Sequence, residues 1–218
     1  MSFMELIREN GVYLLSAMGK TLELTFLSLI FASVIGLLFG MLNVSKKKGL
    51  HLIANLYIDC IRGVPLVVLA FFVYFGIPLA TGIRLSALVA GIIALSLNAG
   101  AYMAEIVRAG IQAVDKGQME AARSLGLPYG TSMRKVILPQ AIRTMIPSII
   151  NQFIITLKDT SILSVIGFPE LVKAGQIVIA RNFESFKMWV IIGIMYLVVI
   201  TVLSKVARKL ERRLSYGK

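Results

Sequence analysis

Long uncharged apolar stretches constrain this sequence more than any other feature. Residues 24–44, 63–83 and 85–104 contain no charged side chain, and a slightly shorter run covers 188–204. A helix needs roughly 20 apolar residues to cross the hydrocarbon core of a bilayer. With 57% hydrophobic residues, the chain is also more apolar than the 45–50% that is usual for soluble domains. The pattern predicts an all-α, polytopic membrane protein.

Five membrane-spanning helices are predicted within a single domain covering residues 1–218. In the second span, Pro65, Pro78 and Gly82 are expected to bend or end the helix. In the fourth, Lys158 and Asp159 interrupt the apolar run, so this helix is predicted to be too short to cross unbroken. The predicted spans are residues 12–44, 52–77, 84–112, 140–160 and 186–207.

The net charge of +12 would suggest nucleic acid as a partner of a soluble chain. In this chain, the positive charges lie mostly between the apolar runs, so they indicate the orientation of the helices in the membrane instead. Lysines and arginines concentrate after the first span, after the third span and in the tail, which places these segments in the cytoplasm, with the N-terminus outside. The run Lys46–Lys48 is interpreted as a topology signal that contacts lipid headgroups. With one cysteine, Cys60, and one histidine, His51, no metal site is expected.

The connection formed by residues 113–139 has the pattern of an ordered helix. Asp115 and Gln118 resemble a capping box, residues 116–125 fit a short helix, and Gly126 suits the position after its end. Pro128 prevents continuation of this helix. The sequence predicts a helix lying across the cytoplasmic face, which either binds a partner surface or merely covers the bundle.

A motif in this connection resembles a known family. The series Glu120-Ala121-Ala122, three residues, Gly126, nine residues and Val136-Ile137-Leu138-Pro139 resembles the EAA loop of permease subunits of bacterial ABC importers, with valine in place of the usual first isoleucine. Further segments are similar to the polar amino acid branch of these permeases: residues 62–66, 74–76, 101–108, 116–118, 138–141 and 157–167.

The resemblance implies that the chain is one subunit of a transport complex. It implies a permease of the bacterial cytoplasmic membrane that moves a polar amino acid, with a basic one as an option, inward by alternating access. The implied partners are an ABC ATPase subunit that binds ATP and magnesium, a second permease, identical or related, and an external amino-acid-binding protein. No cofactor and no enzymatic activity are expected in this chain, which lacks a phosphate-binding loop motif. The residues implied to contact the ATPase are Glu120, Ala121, Ala122, Arg123, Gly126, Leu138 and Pro139.

Polar residues inside predicted spans are candidates for substrate binding because each is costly in hydrocarbon. Transporters often bind their substrate where a membrane helix is interrupted. At the predicted break in the fourth span, Lys158, Thr160 and Ser161 are expected to bind the carboxylate of the substrate, and Asp159 is expected to bind its ammonium group. Alternatives remain open: the break also fits the end of the span in water, Asp59 and Arg62 are spaced for a structural ion pair, and small residues near Asn98 suit helix packing. The candidates are Asp59, Arg62, Asn98, Tyr102, Lys158, Asp159, Thr160 and Ser161.

Other classes of protein remain open on the residues alone. A transporter driven by an ion gradient would show similar membrane spans but would not need an ATPase contact in residues 113–139. A membrane enzyme would need convergent titratable groups, which this sequence offers poorly. A simple anchor would tolerate replacement of residues 158–161.

Overall fold

The computed structural model describes the backbone of residues 1–215 and the side chains of residues 1–209. This part of the chain contains helices and no strands, as the apolar pattern predicts. The helices are α1 Phe3–Asn43, α2 Lys48–Gly63, α3 Leu66–Phe71, α4 Ile77–Thr81, α5 Ala87–Gln112, α6 Lys116–Ser124, α7 Tyr129–Ser132, α8 Leu138–Asp159, α9 Leu171–Asn182 and α10 Ser185–Ser215.

The first helix begins nine residues before the predicted span. Ser2 caps it: its hydroxyl accepts from the backbone N–H of Glu5, whose carboxylate accepts from the N–H of Ser2. The reciprocal cap satisfies two free donors of the first turn. Helix α1 runs for 41 residues to Asn43 and so includes nine residues before the predicted span, 12–44.

The second predicted span, 52–77, is not one continuous helix. The segments Lys48–Gly63 and Leu66–Thr81 meet at an angle of 101°. Pro65 lacks an N–H and disfavours helical dihedrals at Val64, whose φ of −107° and ψ of 131° are extended. The second segment also contains a π-helical turn, Phe72–Gly76, which ends two residues before Pro78. The segment ends at Thr81, and Gly82 follows with φ +76°. Pro65 therefore bends the chain and Gly82 ends the helix, as predicted, but the bend is sharper than the sequence suggests.

Small residues allow α1 and α5 to pack closely. An ideal Cβ on Gly40 would lie 2.6 Å from Val107 Cβ and 2.9 Å from the carbonyl oxygen of Ala104. These separations are shorter than van der Waals contact, so only glycine fits between the two helices here. The alanines Ala90, Ala94 and Ala101 are also fully buried. The small-residue stripe of α5 thus serves helix packing, as such stripes usually do in membranes.

Gly40→Ala is expected to destabilise the α1–α5 contact. The added methyl group must displace the backbone of α5, and overpacking of this kind typically costs about 1–3 kcal/mol. Gly19→Ala is the matched control, because a Cβ added at Gly19 would meet no atom within 4 Å and alanine favours the helix by about 0.5–1 kcal/mol. Thermal unfolding of the detergent-solubilised protein should show a lower midpoint for Gly40→Ala and an unchanged or higher one for Gly19→Ala. Equal midpoints would contradict the close packing.

The fourth predicted span is part of a longer helical run. A continuous helical run of 38 residues extends from Tyr129 to Ile166. It comprises α7, a π-helical turn (Met133–Ile137), α8 and a 3-10 helix (Thr160–Ile166). Pro139 is tolerated near the start of α8, and Pro147 lies within it. The run therefore extends beyond the predicted span, 140–160, at both ends and begins inside the predicted connection, 113–139. The charged pair at 158–159 precedes a change of helix type but does not end the run.

A buried carboxylate joins the last helices. Glu170, fully buried, caps α9 by accepting from the N–H groups of Val172 and Lys173 at 2.8 and 2.7 Å, and it accepts from the hydroxyl of Tyr196 at 3.1 Å. Burial raises the pKa of Glu170, and the three hydrogen bonds oppose this rise. Thr21 of α1 also accepts from the N–H of Leu171. These hydrogen bonds fix α9 between α1 and α10.

Among the described residues, four helical segments are long and apolar enough to cross a membrane, and the bent pair makes a fifth candidate. Many large apolar side chains on their outer surfaces are exposed, for example Leu79 and Phe26, which suits contact with lipid. The chain is a multi-pass helical protein, as predicted. The tail cations Arg212, Arg213 and Lys218, which contribute to the predicted orientation, lie outside the residues whose side chains are described.

Candidate functional site: a cavity at the helix bend and a surface helix

A polar cavity of about 500 Å³ lies where α2 bends into α3. We call it the bend cavity. Three elements form it: the bend itself, one face of α5 and one face of α8. Its volume is within the 300–1,000 Å³ range that is common for small-molecule sites. It is lined by Arg62, Gly63, Val64, Pro65, Leu66, Asn98, Tyr102, Gln152, Ile155 and Asp159.

The bend cavity contains one cationic and one anionic side chain. Arg62, at the end of α2, lies with its guanidinium carbon 5.1 Å from the ring centroid of Tyr102. Asp159 is the last residue of α8. Within the described side chains, neither Arg62 nor Asp159 forms an ion pair. Both charges therefore remain available to a bound molecule.

The ion pair between Asp59 and Arg62 that the spacing allows is not formed. Asp59 is exposed and does not line the bend cavity. The buried face of α2 is the one that carries Ala54 and Ile58. Of the candidate substrate residues, the structure brings together Arg62, Asn98, Tyr102 and Asp159, and it places Asp59 elsewhere.

Three neighbours of Asp159 do not line the bend cavity. The hydroxyl of Thr160 donates to the carbonyl oxygen of Leu157, and that of Ser161 to the carbonyl oxygen of Lys158, both at 2.7 Å. These bonds to the preceding turn are typical of serine and threonine in helices. Lys158 is exposed. The geometry therefore assigns the cationic side of the cavity to Arg62 rather than to Lys158.

A second polar cavity of about 410 Å³ continues from the first toward the α6 end of the bundle. The two cavities share Tyr102 and Gln152. Glu105 lines the second cavity, and its two carboxylate oxygens accept hydrogen bonds from Arg108. Together, the cavities form a polar groove between α5 and α8.

Gln152 is a site residue that sequence reasoning missed. It is buried and lines both cavities. Its side-chain amide donates to the hydroxyl of Thr156, which in turn donates to the backbone carbonyl oxygen of Gln152. The signal was present: Asn151 and Gln152 are adjacent amides inside an otherwise apolar run. Residues 63–66 at the bend were also missed as site residues, because only the fold reveals that they line a cavity.

The predicted surface helix is present as α6, Lys116–Ser124. Asp115 caps it by accepting from the N–H of Gly117 at 2.8 Å. Gln118 does not complete a capping box; its side-chain oxygen accepts from Gln140 instead. At the other end, the N–H of Gly126 donates to Arg123 and that of Leu127 to Ala122, with Gly126 at φ +81°. This is a Schellman cap, which requires a left-handed residue, so the predicted role of Gly126 in ending the helix is confirmed.

The exposed face of α6 offers a compact contact surface. Ala122 is buried against the body of the protein, whereas Glu120, Ala121 and Arg123 are exposed. Leu125, which sequence reasoning did not single out, is 83% exposed at the tip. Of the two remaining predicted contact residues, Pro139 is exposed and Leu138 is half-buried at the start of α8. An apolar side chain presented beside charges on a rigid helix is typical of a protein-binding site.

Comparison with known proteins identifies the family. Residues 32–216 match the family described as binding-protein-dependent transport system inner membrane component. The chain belongs to this family. The permease is 40% identical over 202 residues to the glutamine transport system permease protein GlnP of Escherichia coli K12, covering 92% of each chain. It is 35% identical to the arginine transport system permease protein ArtQ of Bacillus subtilis, covering 93% of this chain and 92% of that one.

Solved structures support the same assignment. The permease matches a chain in the crystal structure of an amino acid ABC transporter with histidines, with a TM-score of 0.91 and 40% identity over 98% of this chain and 99% of that chain. A chain of the inward-facing MetNI methionine ABC transporter shares the fold, with a TM-score of 0.79 at 21% identity. Membership of this family implies that the permease works with an ATPase subunit and a second permease subunit.

Proposed function

We propose that this chain is the membrane subunit of an ATP-driven importer of polar amino acids. The relatives named for glutamine and arginine transport support a substrate that carries an ammonium and a carboxylate group. The observation that carries the proposal is the bend cavity, which contains Arg62 and Asp159 without an ion-pair partner in the described structure. Transport by the permease would then be driven by ATP hydrolysis in a separate subunit, which binds the ATP and magnesium.

The two charges of the bend cavity suit the two charges of a zwitterion. Arg62 is proposed to bind the carboxylate, which a guanidinium can engage through two parallel hydrogen bonds. Asp159 is proposed to accept from the ammonium group. Asn98 and Gln152 add neutral amides that can donate and accept near the side chain of the substrate. Both glutamine and a basic amino acid, such as arginine, lysine or histidine, satisfy this chemistry.

The groove between α5 and α8 is proposed as the path from the bend cavity toward the cytoplasm. The second cavity lies closer to α6 and contains further polar side chains, including Ser148 and Asn151. A second permease, identical or related, would close the open side of the groove, because one bundle cannot surround a pathway by itself. An external binding protein would deliver the substrate to the opposite end.

Helix α6 is proposed to dock on the ATPase through Glu120, Ala121, Arg123, Leu125 and Gly126. Its capped ends make it a rigid unit, so that a movement of the ATPase is passed to the adjoining helical run that begins at Tyr129. With this role, α6, Lys46–Lys48 and the C-terminus are proposed to lie in the cytoplasm and the N-terminus outside. Five crossings, counting the bent pair as one, are consistent with termini on opposite sides.

Reconstitution tests the proposal against an ion-driven transporter. Vesicles containing the permease, its ATPase and its binding protein should accumulate a radiolabelled polar amino acid when ATP is supplied on the ATPase side, without any ion gradient. A panel of glutamine, arginine, lysine and histidine identifies the substrate by its stimulation of ATP hydrolysis. Uptake that requires a proton or sodium gradient and proceeds without ATP would contradict the proposal.

A further inference from the structure

A third cavity, about 750 Å³ in volume, lies between the α1–α2 turn and helix α6. We call it the lysine cavity. It is separate from the polar groove and shares no lining residue with it. Among the described residues that line it, Lys46, Lys48 and Lys116 are cationic and Asp115 is the one acid. The other lining residues are Asn43, Val44, Ser45, His51, Ile111, Gln112, Val114, Met119, Tyr129, Met133 and Ile137.

The cationic groups of this cavity are not neutralised within the described structure. No carboxylate forms an ion pair with Lys46, Lys48 or Lys116 there. The carboxylate of Asp115 already accepts from the N–H of Gly117. Lys46 lies with its ammonium nitrogen 5.3 Å from the ring centroid of Tyr129, a contact that orients the cation without removing its charge. The cavity therefore presents a positive surface.

Helix α2 adds donors to the same surface. Its N-cap residue, Lys47, provides no side-chain hydrogen bond, and its first turn contains no acidic residue. The first N–H groups of this 16-residue helix are thus free, next to Lys48, which lines the cavity. Free N–H groups and the helix dipole favour an anion at this position.

A hydrogen-bonded cluster holds the turn in place. The Nδ1 atom of His51 lies 2.6 Å from the carbonyl oxygen of Asn43, and its Nε2 lies 2.9 Å from the amide nitrogen of Asn55. The side-chain amide of Asn43 also donates to Asn55 at 2.6 Å. These bonds tie the end of α1 to the first turns of α2. The lysines of the turn are therefore positioned by a rigid frame rather than by a free loop.

One buried acceptor of this frame lacks a partner. Asn43 is 4% exposed and borders the cavity, and its side-chain oxygen accepts no hydrogen bond within the described structure. A buried acceptor without a donor is unfavourable. A ligand that combines an anionic phosphate with a hydroxyl donor would satisfy both the lysines and this oxygen.

We infer that the lysine cavity binds the phosphate ester of an anionic phospholipid headgroup, with phosphatidylglycerol providing the hydroxyl donor. The spanning helices α1 and α5 end, and α2 begins, at this cavity, which places it at the level of the headgroups. Basic pockets between membrane helices commonly bind such groups. The inference does not depend on the proposed transport function, since it concerns binding alone.

Lipid retention by the purified complex tests the inference. Complexes in nanodiscs of mixed phosphatidylglycerol and phosphatidylcholine are transferred to detergent, and retained phosphatidylglycerol is measured by native mass spectrometry. The double variant Lys46→Gln/Lys48→Gln is expected to bind phosphatidylglycerol about thirtyfold more weakly, from the contribution of two lysines. Lys135→Gln/Lys209→Gln is the matched control, because both lysines are exposed and neither lines the cavity; it should retain the lipid.

Three further results decide whether the lysine cavity binds a phosphate group and whether that phosphate belongs to a lipid. Binding of soluble glycerol 3-phosphate that is lost in the Lys46/Lys48 double variant, together with no retained phosphatidylglycerol in the unmodified protein, would overturn the lipid assignment and give the phosphate site to a free anion. Equal lipid loss in both double variants would overturn it, since the effect would then be general surface charge. Zero-length cross-linking of Lys46 or Lys48 to a carboxylate of the ATPase would also overturn it, because a protein would then occupy the cavity. A circular dichroism spectrum of each variant confirms that the helices are intact.

Discussion

Gly126→Asp is expected to reduce ATP-driven uptake strongly while leaving the permease in the membrane. Gly126 has φ +81°, and a Cβ added there would meet no atom within 4 Å in this chain. Aspartate tolerates the left-handed conformation better than most residues, so the Schellman cap can persist. Its charge would instead be placed next to Leu125 on the surface proposed to meet the ATPase. We expect uptake to fall by at least about tenfold, the equivalent of 1.4 kcal/mol, while ATP hydrolysis continues uncoupled from transport.

The variant Gly126→Asn separates the effect of the added charge from the effect of changing the backbone conformation. Asparagine has nearly the same shape as aspartate and equal access to the left-handed region, but no charge. We expect this variant to keep uptake within about twofold of the unmodified protein, since it leaves the helix and its electrostatics nearly unchanged. Radiolabelled uptake and phosphate release, measured in the same proteoliposomes, provide both readouts. Normal uptake by Gly126→Asp would contradict the proposed docking of α6.

Asp159→Asn is expected to weaken substrate binding strongly. The variant removes the negative charge of the bend cavity but keeps a side chain of the same size, so the fold should be preserved. Hydrogen bonds to charged groups contribute about 1.5–3 kcal/mol, so we expect substrate affinity to fall by between about tenfold and 100-fold. Arg62→Gln should have a similar effect through the carboxylate. Binding of the labelled amino acid to the detergent-purified complex measures both changes.

Asp59→Asn is the matched control for this experiment. It removes the same charge only one turn from Arg62, but Asp59 is exposed and lies outside the cavity. Its affinity should remain within about twofold of that of the unmodified protein, as is typical of surface substitutions. Equal losses in Asp59→Asn and Asp159→Asn would indicate a long-range charge effect, and unchanged affinity in Asp159→Asn would exclude the ligand role of this carboxylate.

The features that the sequence predicted well are those set by local chemistry. Long apolar runs must form helices in a membrane, because lipid cannot satisfy backbone groups. The ends of α6 follow from Asp115 and Gly126, whose side-chain and backbone preferences act within one turn. Asn98, Tyr102 and Asp159 could be selected as candidates because polar groups are rare within apolar spans.

The features that the sequence did not predict depend on tertiary packing. The extension of α8 past Pro139 requires a π-helical turn at Met133–Ile137, which no local preference indicates. The preference of Arg62 for Tyr102 over Asp59 depends on how α2 lies against α5. The same holds for Gln152, whose burial between the two cavities is decided by the rotation of α8. Spacing along one helix therefore identifies possible partners but does not choose among them.

The contact between α6 and the ATPase is the central claim, and site-specific photocross-linking measures it directly. A benzoylphenylalanine replaces Leu125, which is 83% exposed, or Phe183, which is 86% exposed between α9 and α10. The purified complex is irradiated in nanodiscs, and the products are identified by mass spectrometry. The account predicts a product between position 125 and the ATPase and none from position 183. Absence of an ATPase product at position 125, in a complex that hydrolyses ATP, would contradict it.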